Sequence, residues 1–392
     1  MTPLLRRLLM AFHPVAIIHA ELYTPTRRIE DGTVVFAEGR ILAVGPSREV
    51  RLPRRAERID AHGRPVTPGL IDLHLHGVEG YDLFGEELAE AAQRLPRHGV
   101  TAFVPTTLTL PEEEILRRLQ AMARVMETAP PGARILGIHI EGPHLSPKRP
   151  GMANPTWFRP LTPEAIARYQ AAAGGRIRLW TFAPEEGEAM QAIPALVAQG
   201  IIPVIGHSDA TYDQATEAIQ RGVRQVTHFF NAMRPFHHRE PGLFTAALLD
   251  PRVIVQLIAD GQHVHPAAMR LLFQVKGSSG VAMISDAAPM AGLPPGRYTW
   301  LGYEVIVADG RCQTPEGALA GSVALMNEGL RVLIEEVGID PLHAVRSATW
   351  TPAQALGLRK FGRLRPGAPA DLVLWARWGV PEAVWVGGER MV

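Results

Sequence analysis

The chain has 392 residues, 46% of them hydrophobic, enough for one large core and a smaller second one. Charge is balanced at 40 basic against 39 acidic residues, which gives no reason to expect nucleic acid or an anionic membrane as partner and leaves any anion affinity to a local site. The single cysteine, Cys312, excludes an intrachain disulfide and points to a reducing, cytoplasmic setting.

Residues 1–10 carry Arg6-Arg7 and a short apolar stretch. A signal peptide needs an apolar region of about 7–15 residues; residues 8–12 fall short and His13-Pro14 interrupts them, so a short extension is expected. No apolar run approaches the roughly 20 residues of a membrane helix. Residues 15–64 read as short strands, with Val34-Val35-Phe36 and Arg40-Ile41-Leu42-Ala43-Val44 flanking the turn Glu38-Gly39. Residues 361–392 read alike, with Asp371-Leu372-Val373-Leu374-Trp375, Ala383-Val384-Trp385-Val386 and the turn Gly387-Gly388. Neither block closes a core alone. The expectation is one small β-sandwich domain from residues 15–66 and 361–392, around a barrel domain of residues 67–360.

Between these blocks strand and helix signals alternate. Strand signals fall at 70–76, 101–107, 135–141, 177–183, 201–207, 225–230, 253–259 and 281–286. Helical patterns occupy 112–126, 163–173, 187–199 and 212–221, and a last one 323–337. Eight βα units predict an α/β fold, a (β/α)8 TIM-type barrel; a doubly wound open sheet is the alternative.

Chemistry concentrates at one end of these strands. In Leu73-His74-Leu75-His76 alternation sends both imidazoles to one face, with Ile71, Leu73 and Leu75 on the other. Neutral imidazole is a common ligand of zinc and iron. His76, Glu141, His207, His228 and Asp286 stand at or just after the ends of the first, third, fifth, sixth and eighth strands, where such barrels carry active sites. Singly, Glu141 has a salt-bridged residue as its lesser reading, and each histidine reads first as structural. Together they favour a two-histidine, one-carboxylate site that leaves a position for water. Asp286 beside such a water suits a base that later acts as an acid. No Gly-x-Ser-x-Gly elbow and no Gly-x-Gly-x-x-Gly after the first strand competes. Arg234, His237, His238 and Arg239 in the segment 231–242, with His263, suit a phosphate or carboxylate, or form an exposed polar loop. Ser322 reads first as a helix N-cap, and Gly321 lets backbone approach a ligand.

An ordered set of motifs spans nearly the whole chain: Pro68-Gly69-Leu70-Ile71-Asp72-Leu73-His74-Leu75-His76-Gly77, His139-Ile140-Glu141-Gly142-Pro143, Gly206-His207-Ser208-Asp209-Ala210, Thr227-His228-Phe229-Phe230-Asn231-Ala232-Met233, Ala259-Asp260-Gly261-Gln262-His263, Ser285-Asp286-Ala287 and Leu319-Ala320-Gly321-Ser322. The set resembles the amidohydrolase superfamily and, within it, the N-acetylglucosamine-6-phosphate deacetylase family. The resemblance implies hydrolysis of the acetamide of an amino-sugar phosphate, a small-molecule partner. It implies that Glu141, His207 and His228 bind the main divalent metal and that His74 and His76, bridged by Glu141, suit a second. That gives one or two ions per subunit, zinc or iron first, with cobalt and manganese tolerated. Asp286 would take a proton from water and pass it to the leaving amine. Asn231, the Ala232 backbone, Arg239 and His263 would hold the sugar phosphate. Arg239 would reach across the interface of a homodimer or a dimer of dimers. Leu319, Ala320 and Gly321 would line the acetyl end, and Met152 and Ala153 would touch the sugar through backbone.

The chain departs from the family pattern at His144, where an aromatic is usual, and at Ala153, where some members have a histidine. Rival readings are an amidohydrolase of a cyclic amide or nucleobase, one of a different N-acetylated amino-sugar phosphate, or an inactive barrel serving as an assembly module. The presence of Arg239 and His263 argues against the first. Retention of every ligand and of Asp286 argues against the last.

Overall fold

Eight short parallel strands carry the residues singled out above. In the computed structural model, which describes residues 13–392, they are β1 (Leu70–Leu75), β2 (Val100–Pro105), β3 (Ile138–Glu141), β4 (Ile177–Phe182), β5 (Ile202–Ile205), β6 (Gln225–Val226), β7 (Ile254–Ile258) and β8 (Val281–Ile284). Residues 1–12, and with them the reading of an N-terminal extension, lie outside the described residues. Strands β3 to β8 pair in chain order in one parallel sheet, and β1 pairs with β2 in another. Thr107 N–H donates to His139 O at 2.9 Å on one side, and Asp286 N–H donates to His74 O at 2.9 Å on the other. Backbone bonds therefore join the eighth strand to the first, and the sheet curls into a TIM-type barrel.

The strands are buried on both faces, as helix-covered parallel strands are. One apolar cluster, including Ile71, Leu73, Val104, Leu179, Val204, Ile258 and Ile284, packs with Ala353 and Leu356. A larger cluster lies between strands and helices and includes Leu70, Leu75, Phe103, Ile140, Trp180 and Met283. This corrects the simple alternation read along the first strand. Ile71 and Leu73 belong to one layer and Leu75 to the other, because the register slips between Asp72 and Leu75. The buried Asp72 carboxylate holds the slip by accepting from the backbone N–H groups of His74 and Ser285, each at 3.2 Å.

Helices at Glu112–Glu127, Pro163–Ala172, Ala189–Ala198 and Tyr212–Arg221 occupy the intervals where a helical period is legible. The last opens on Thr211, whose hydroxyl accepts from Gln214 N–H while the Gln214 side chain accepts from Thr211 N–H. Among the described residues five further helices lie outside those intervals: Leu88–Arg94, Gly242–Leu249, Pro266–Gly280, Pro341–Ala348 and Trp350–Ala355. The pattern at 323–337 becomes a helix at Met326–Arg331 followed by a π-turn at Val332–Glu336. It starts late because Ser322 bridges to Ala287 in extended backbone, so Ser322 does not cap the helix. An antiparallel hairpin and a third strand, Gly296–Trp300, Tyr303–Ala308 and Arg311–Gln313, follow β8.

Strands from both chain ends share one further sheet. Val15–Tyr23, Arg28–Ala37, Arg40–Pro46 and Pro65–Pro68 lie on one side, and Leu372–Arg377, Val380–Val386 and Glu389–Arg390 on the other. They meet where Val373 pairs with Thr67. Ile17, Leu22, Phe36, Leu374 and Trp385 form its own apolar cluster. Gly69 N–H donates to Asp371 O at 2.9 Å, which fixes the entry of β1 into the barrel.

Candidate active site

The strand ends converge on one point. His74 is in β1 and His76 just beyond it, Glu141 ends β3, and His207, His228 and Asp286 follow β5, β6 and β8 by two residues. His207, His228 and Asp286 have left-handed backbone, with φ of 48°, 24° and 52°. Non-glycine residues rarely hold that conformation, which costs of order 1–3 kcal/mol and clusters at functional sites.

The carboxylate of Glu141 is shared between two imidazole pairs. Its Oε1 lies 3.0 Å from His228 Nε2 and 3.2 Å from His207 Nε2. Its Oε2 lies 3.2 Å from His74 Nε2 and 3.4 Å from His76 Nε2. Asp286 Oδ1 faces the same second pair, 3.3 Å from His74 and 3.2 Å from His76. Asp286 thus stands with His74 and His76 in one candidate ligand group, and Glu141, His207 and His228 form another.

The donor chemistry fits a metal ion. His207 Nδ1–H donates to Arg149 O at 2.9 Å and His76 Nδ1–H to Thr106 O at 3.3 Å. A carbonyl only accepts, so both rings carry a proton on Nδ1, and in the neutral form that binds metal they present bare Nε2 atoms inward. His207 Nε2 and His228 Nε2 are 3.1 Å apart, and His74 Nε2 and His76 Nε2 are 3.3 Å apart. Lone pairs this close, beside two carboxylates, call for positive charge. The same demand acts on His76. Burial alone would lower its pKa, but hydrogen bonds and charge from Asp286 and Glu141 push it up to about 10. Burial would raise Asp286, but the His74 charge and the His76 hydrogen bond hold it down at about 2. Glu141 is held well below the usual carboxylate range by the surrounding imidazoles, against its burial. Both carboxylates are ionised at neutral pH and can accept protons.

A cavity of about 250 Å³ opens above the histidines. Of the residues singled out in the sequence, His76, Glu141, His207, His228 and Asp286 reach it, as do Met152, Ala153, Asn231, Ala232, His263, Leu319 and Gly321. His74 lies fully buried beneath. Ala320 is buried without lining the cavity. Arg239 is exposed and outside its own chain's cavity, its guanidinium 2.8 Å from His238 Nε2. Among the described residues no arginine or lysine lines the cavity. His263 is the basic side chain at that end. Its Nδ1–H donates to Asp260 Oδ2 at 2.7 Å, and that bond raises its pKa against the lowering effect of burial. Ser322 donates to the same oxygen at 2.9 Å.

His144 stays out of the cavity. Its ring stacks on Trp180 at 5.6 Å, its Nδ1–H donates to Arg159 O at 2.9 Å, and burial pushes its pKa down to about 4. Sequence reasoning missed Trp300. It belongs to the hairpin after β8, lines the cavity and packs over His76 with ring centroids 5.5 Å apart. The apolar alternation of Tyr303, Val305 and Val307 next to the Leu301-Gly302 turn is the signal that marks the hairpin.

The amidohydrolase family profile matches residues 66–391. The chain is 36% identical to N-acetylglucosamine-6-phosphate deacetylase of Bacillus subtilis over 360 residues, 90% of this chain and 91% of the other. It is 35% identical to N-acetylgalactosamine-6-phosphate deacetylase of Escherichia coli O157:H7 over 372 residues, 94% and 97% of the two chains. Among solved structures, an Asp-to-Ala variant of the N-acetyl-D-glucosamine-6-phosphate deacetylase of Mycobacterium smegmatis, in complex with N-acetyl-D-glucosamine-6-phosphate, superposes with a TM-score of 0.90. It is 35% identical and covers 97% of this chain and 100% of its own.

Proposed function

The chain belongs to the amidohydrolase family, and from that footing we propose that it hydrolyses the acetamide of N-acetyl-D-glucosamine 6-phosphate to D-glucosamine 6-phosphate and acetate. One observation carries the reaction: the two oxygens of Glu141 each meet a separate imidazole pair at the floor of a cavity, with Asp286 beside one pair. A divalent cation, when bound, polarises the substrate carbonyl and lowers the pKa of water toward about 7. Glu141, His207 and His228 would hold the first ion, and His74 and His76 with Glu141 would hold a second, giving one or two per subunit. The nitrogen and oxygen donors suit zinc and iron, and cobalt and manganese after them. Asp286, ionised at neutral pH, takes the proton of the attacking water and returns it to the amine nitrogen as the C–N bond breaks.

At the other end His263, Asn231 and the backbone of Ala232 receive the sugar phosphate. Met152 and Ala153 meet the sugar through backbone, and Leu319 to Gly321 shape the acetyl end. Among the described residues, no arginine of the chain lines the cavity to meet the phosphate. Arg239 of a second subunit supplies one, in a homodimer or a dimer of dimers. The small domain comprises residues 15–66 and 361–392 and the barrel residues 67–360, and the enzyme works in the cytoplasm. Among the described residues no helix is long and apolar enough to cross a membrane.

A second reading differs at one sugar carbon: the Escherichia coli relative is named for the galactosamine epimer, at nearly the same identity as the relative from Bacillus subtilis. Acetate release from both sugar phosphates and from unphosphorylated N-acetylglucosamine, before and after chelation, tests both. Metal-dependent turnover of the glucosamine compound above the other two supports the proposal. Preference for the galactosamine compound moves the assignment to the epimer, and no turnover of either overturns it.

A further inference from the structure

His74 differs from His76 and His207, and from His228, whose buried Nδ1 has no hydrogen-bond partner. His76 and His207 have the Nδ1 proton fixed by a backbone carbonyl, which can only accept. His74 Nδ1 instead meets the hydroxyl of Thr227 at 2.7 Å, and a hydroxyl points either way. The orientation of that hydroxyl is settled two residues further off.

A line of buried side chains runs from His74 toward the opposite end of the barrel. Thr227 Oγ1 lies 2.9 Å from Gln256 Oε1, Gln256 Nε2 lies 3.0 Å from Gln225 Oε1, and Gln225 Nε2 lies 3.0 Å from the backbone oxygen of Ala355. The Ala355 oxygen only accepts, so Gln225 must turn its amide NH2 toward it and its carbonyl toward Gln256. Gln256 must answer with its own NH2, which leaves its carbonyl facing Thr227. The one hydroxyl proton of Thr227 is spent there, so only a lone pair faces His74. A neutral His74 must then carry its proton on Nδ1 and keep Nε2 bare. Reversing any link sets two donors or two acceptors against each other. Gln225, Thr227, Gln256 and His74 are each no more than 1% exposed, so water offers no repair. A buried unmet polar group costs about 1–3 kcal/mol.

We propose that Thr227, Gln256 and Gln225 are positioning residues that read the polarity of the Ala355 carbonyl through the barrel and fix the tautomer of His74, holding its Nε2 lone pair toward Glu141 and Asp286. The inference rests on the reading of His74 as a metal ligand. His139 supports the arrangement. It is fully buried and packs edge-on to His74 with ring centroids 4.9 Å apart. Its own Nδ1–H donates to Leu73 O at 3.1 Å and its Nε2 accepts from Thr181 at 2.7 Å, so it offers His74 Nδ1 no partner.

The test has two arms. Zinc affinity is measured by competition with a chromogenic chelator, without substrate, for the full-length protein and for Thr227→Val and Thr227→Ser, with thermal unfolding of each as the check on folding. Removing a group that orients a metal-bound histidine typically costs about 10–100-fold in affinity, so Thr227→Val is expected to weaken the ion at His74 by that factor. The Glu141, His207 and His228 site should stay within about twofold, and Thr227→Ser, which keeps the hydroxyl, within about threefold of the parent. Equal affinities for parent and valine variant, or a serine variant as weak as the valine one, would overturn the proposal. A zinc-loaded parent that leaves His74 free of metal overturns the ligand reading on which it rests. The second arm needs no variant: a neutron map of deuterium-exchanged crystals should show deuterium on His74 Nδ1 and the Thr227 hydroxyl aimed at Gln256. A Thr227 deuteron aimed at His74 overturns the relay. Acetate release from the same protein is scored separately, so a wrong substrate and a wrong relay give different results.

Discussion

Gly151 lies so close to the His207 ring that a Cβ built on it would fall 2.9 Å from Cε1. The same loop supplies the Arg149 carbonyl that fixes the His207 proton. Gly151 also has φ of +59°, a conformation that costs an L-residue about 1–2 kcal/mol. Glycine is needed here on both counts, and the loop and the ligand are built as one unit. Gly151→Ala should therefore push His207 off its place between Glu141 and His228. We expect metal affinity to fall at least about tenfold while the unfolding free energy drops by only about 1–2 kcal/mol. Chelator competition and urea unfolding check this; a variant with parental metal affinity would show that the loop yields instead.

Asp286 tests the chemistry directly. Its side chain is the ionised acceptor beside His74 and His76, while its backbone N–H joins β8 to β1. Asp286→Asn keeps the shape and the backbone bond but removes the proton acceptor. General acid–base catalysis contributes about 10²–10⁴-fold, so kcat should fall by that factor or more, with KM changed little. A variant that keeps a tenth of parental kcat would assign the proton transfer elsewhere.

The first of these relationships could not be read from the chain, and the second only in part. The eight strands were legible because buried parallel strands are apolar runs, and their ends because histidines and carboxylates stand out against them. The helix at Gly242–Leu249 was not, since it is apolar nearly all round and shows no period. The slip at Asp72 was hidden for a related reason: alternation is a rule about unbroken strands, and a carboxylate reaching two residues along its own backbone breaks it. Asp286 was legible as a base but not as a neighbour of His74 and His76, because that depends on barrel closure. Gln225 and Gln256 carry no motif of their own, and only the pairing of their strands brings them together.

Trp300 stands where the proposed reaction would place the acyl end. It is 4% exposed, lines the cavity and packs over His76. One methylene in an apolar pocket is worth about 1–3 kcal/mol of discrimination, roughly 10–200-fold. Trp300→Ala should therefore cut the preference for N-acetyl over N-propionyl glucosamine 6-phosphate at least about tenfold. Removing a buried indole also costs about 3–5 kcal/mol, so the comparison is made at a temperature where unfolding curves show the variant folded. An unchanged acetyl preference would place the limit on chain length at Leu319 and Gly321.

Arg239 gives the sharpest test of assembly, because its guanidinium lies outside the cavity of its own chain while no other arginine lines that cavity among the described residues. Loss of a charge-assisted bond to phosphate costs about 1.5–3 kcal/mol, so Arg239→Ala should raise KM for the phosphorylated sugar roughly 10–100-fold and leave the unphosphorylated one unaffected. If the residue acts across an interface, mixing this variant with Asp286→Asn must restore activity. In a mixed dimer the subunit that keeps Asp286 receives Arg239 from its neighbour, and with random exchange about a quarter of all sites become intact. Steady-state rates of the unfolded and co-refolded mixture, compared with the sum of the separate variants, decide the matter. Recovery toward a quarter of parental activity requires a shared site. Simple additivity means that Arg239 serves its own chain, by a movement of the loop that carries it.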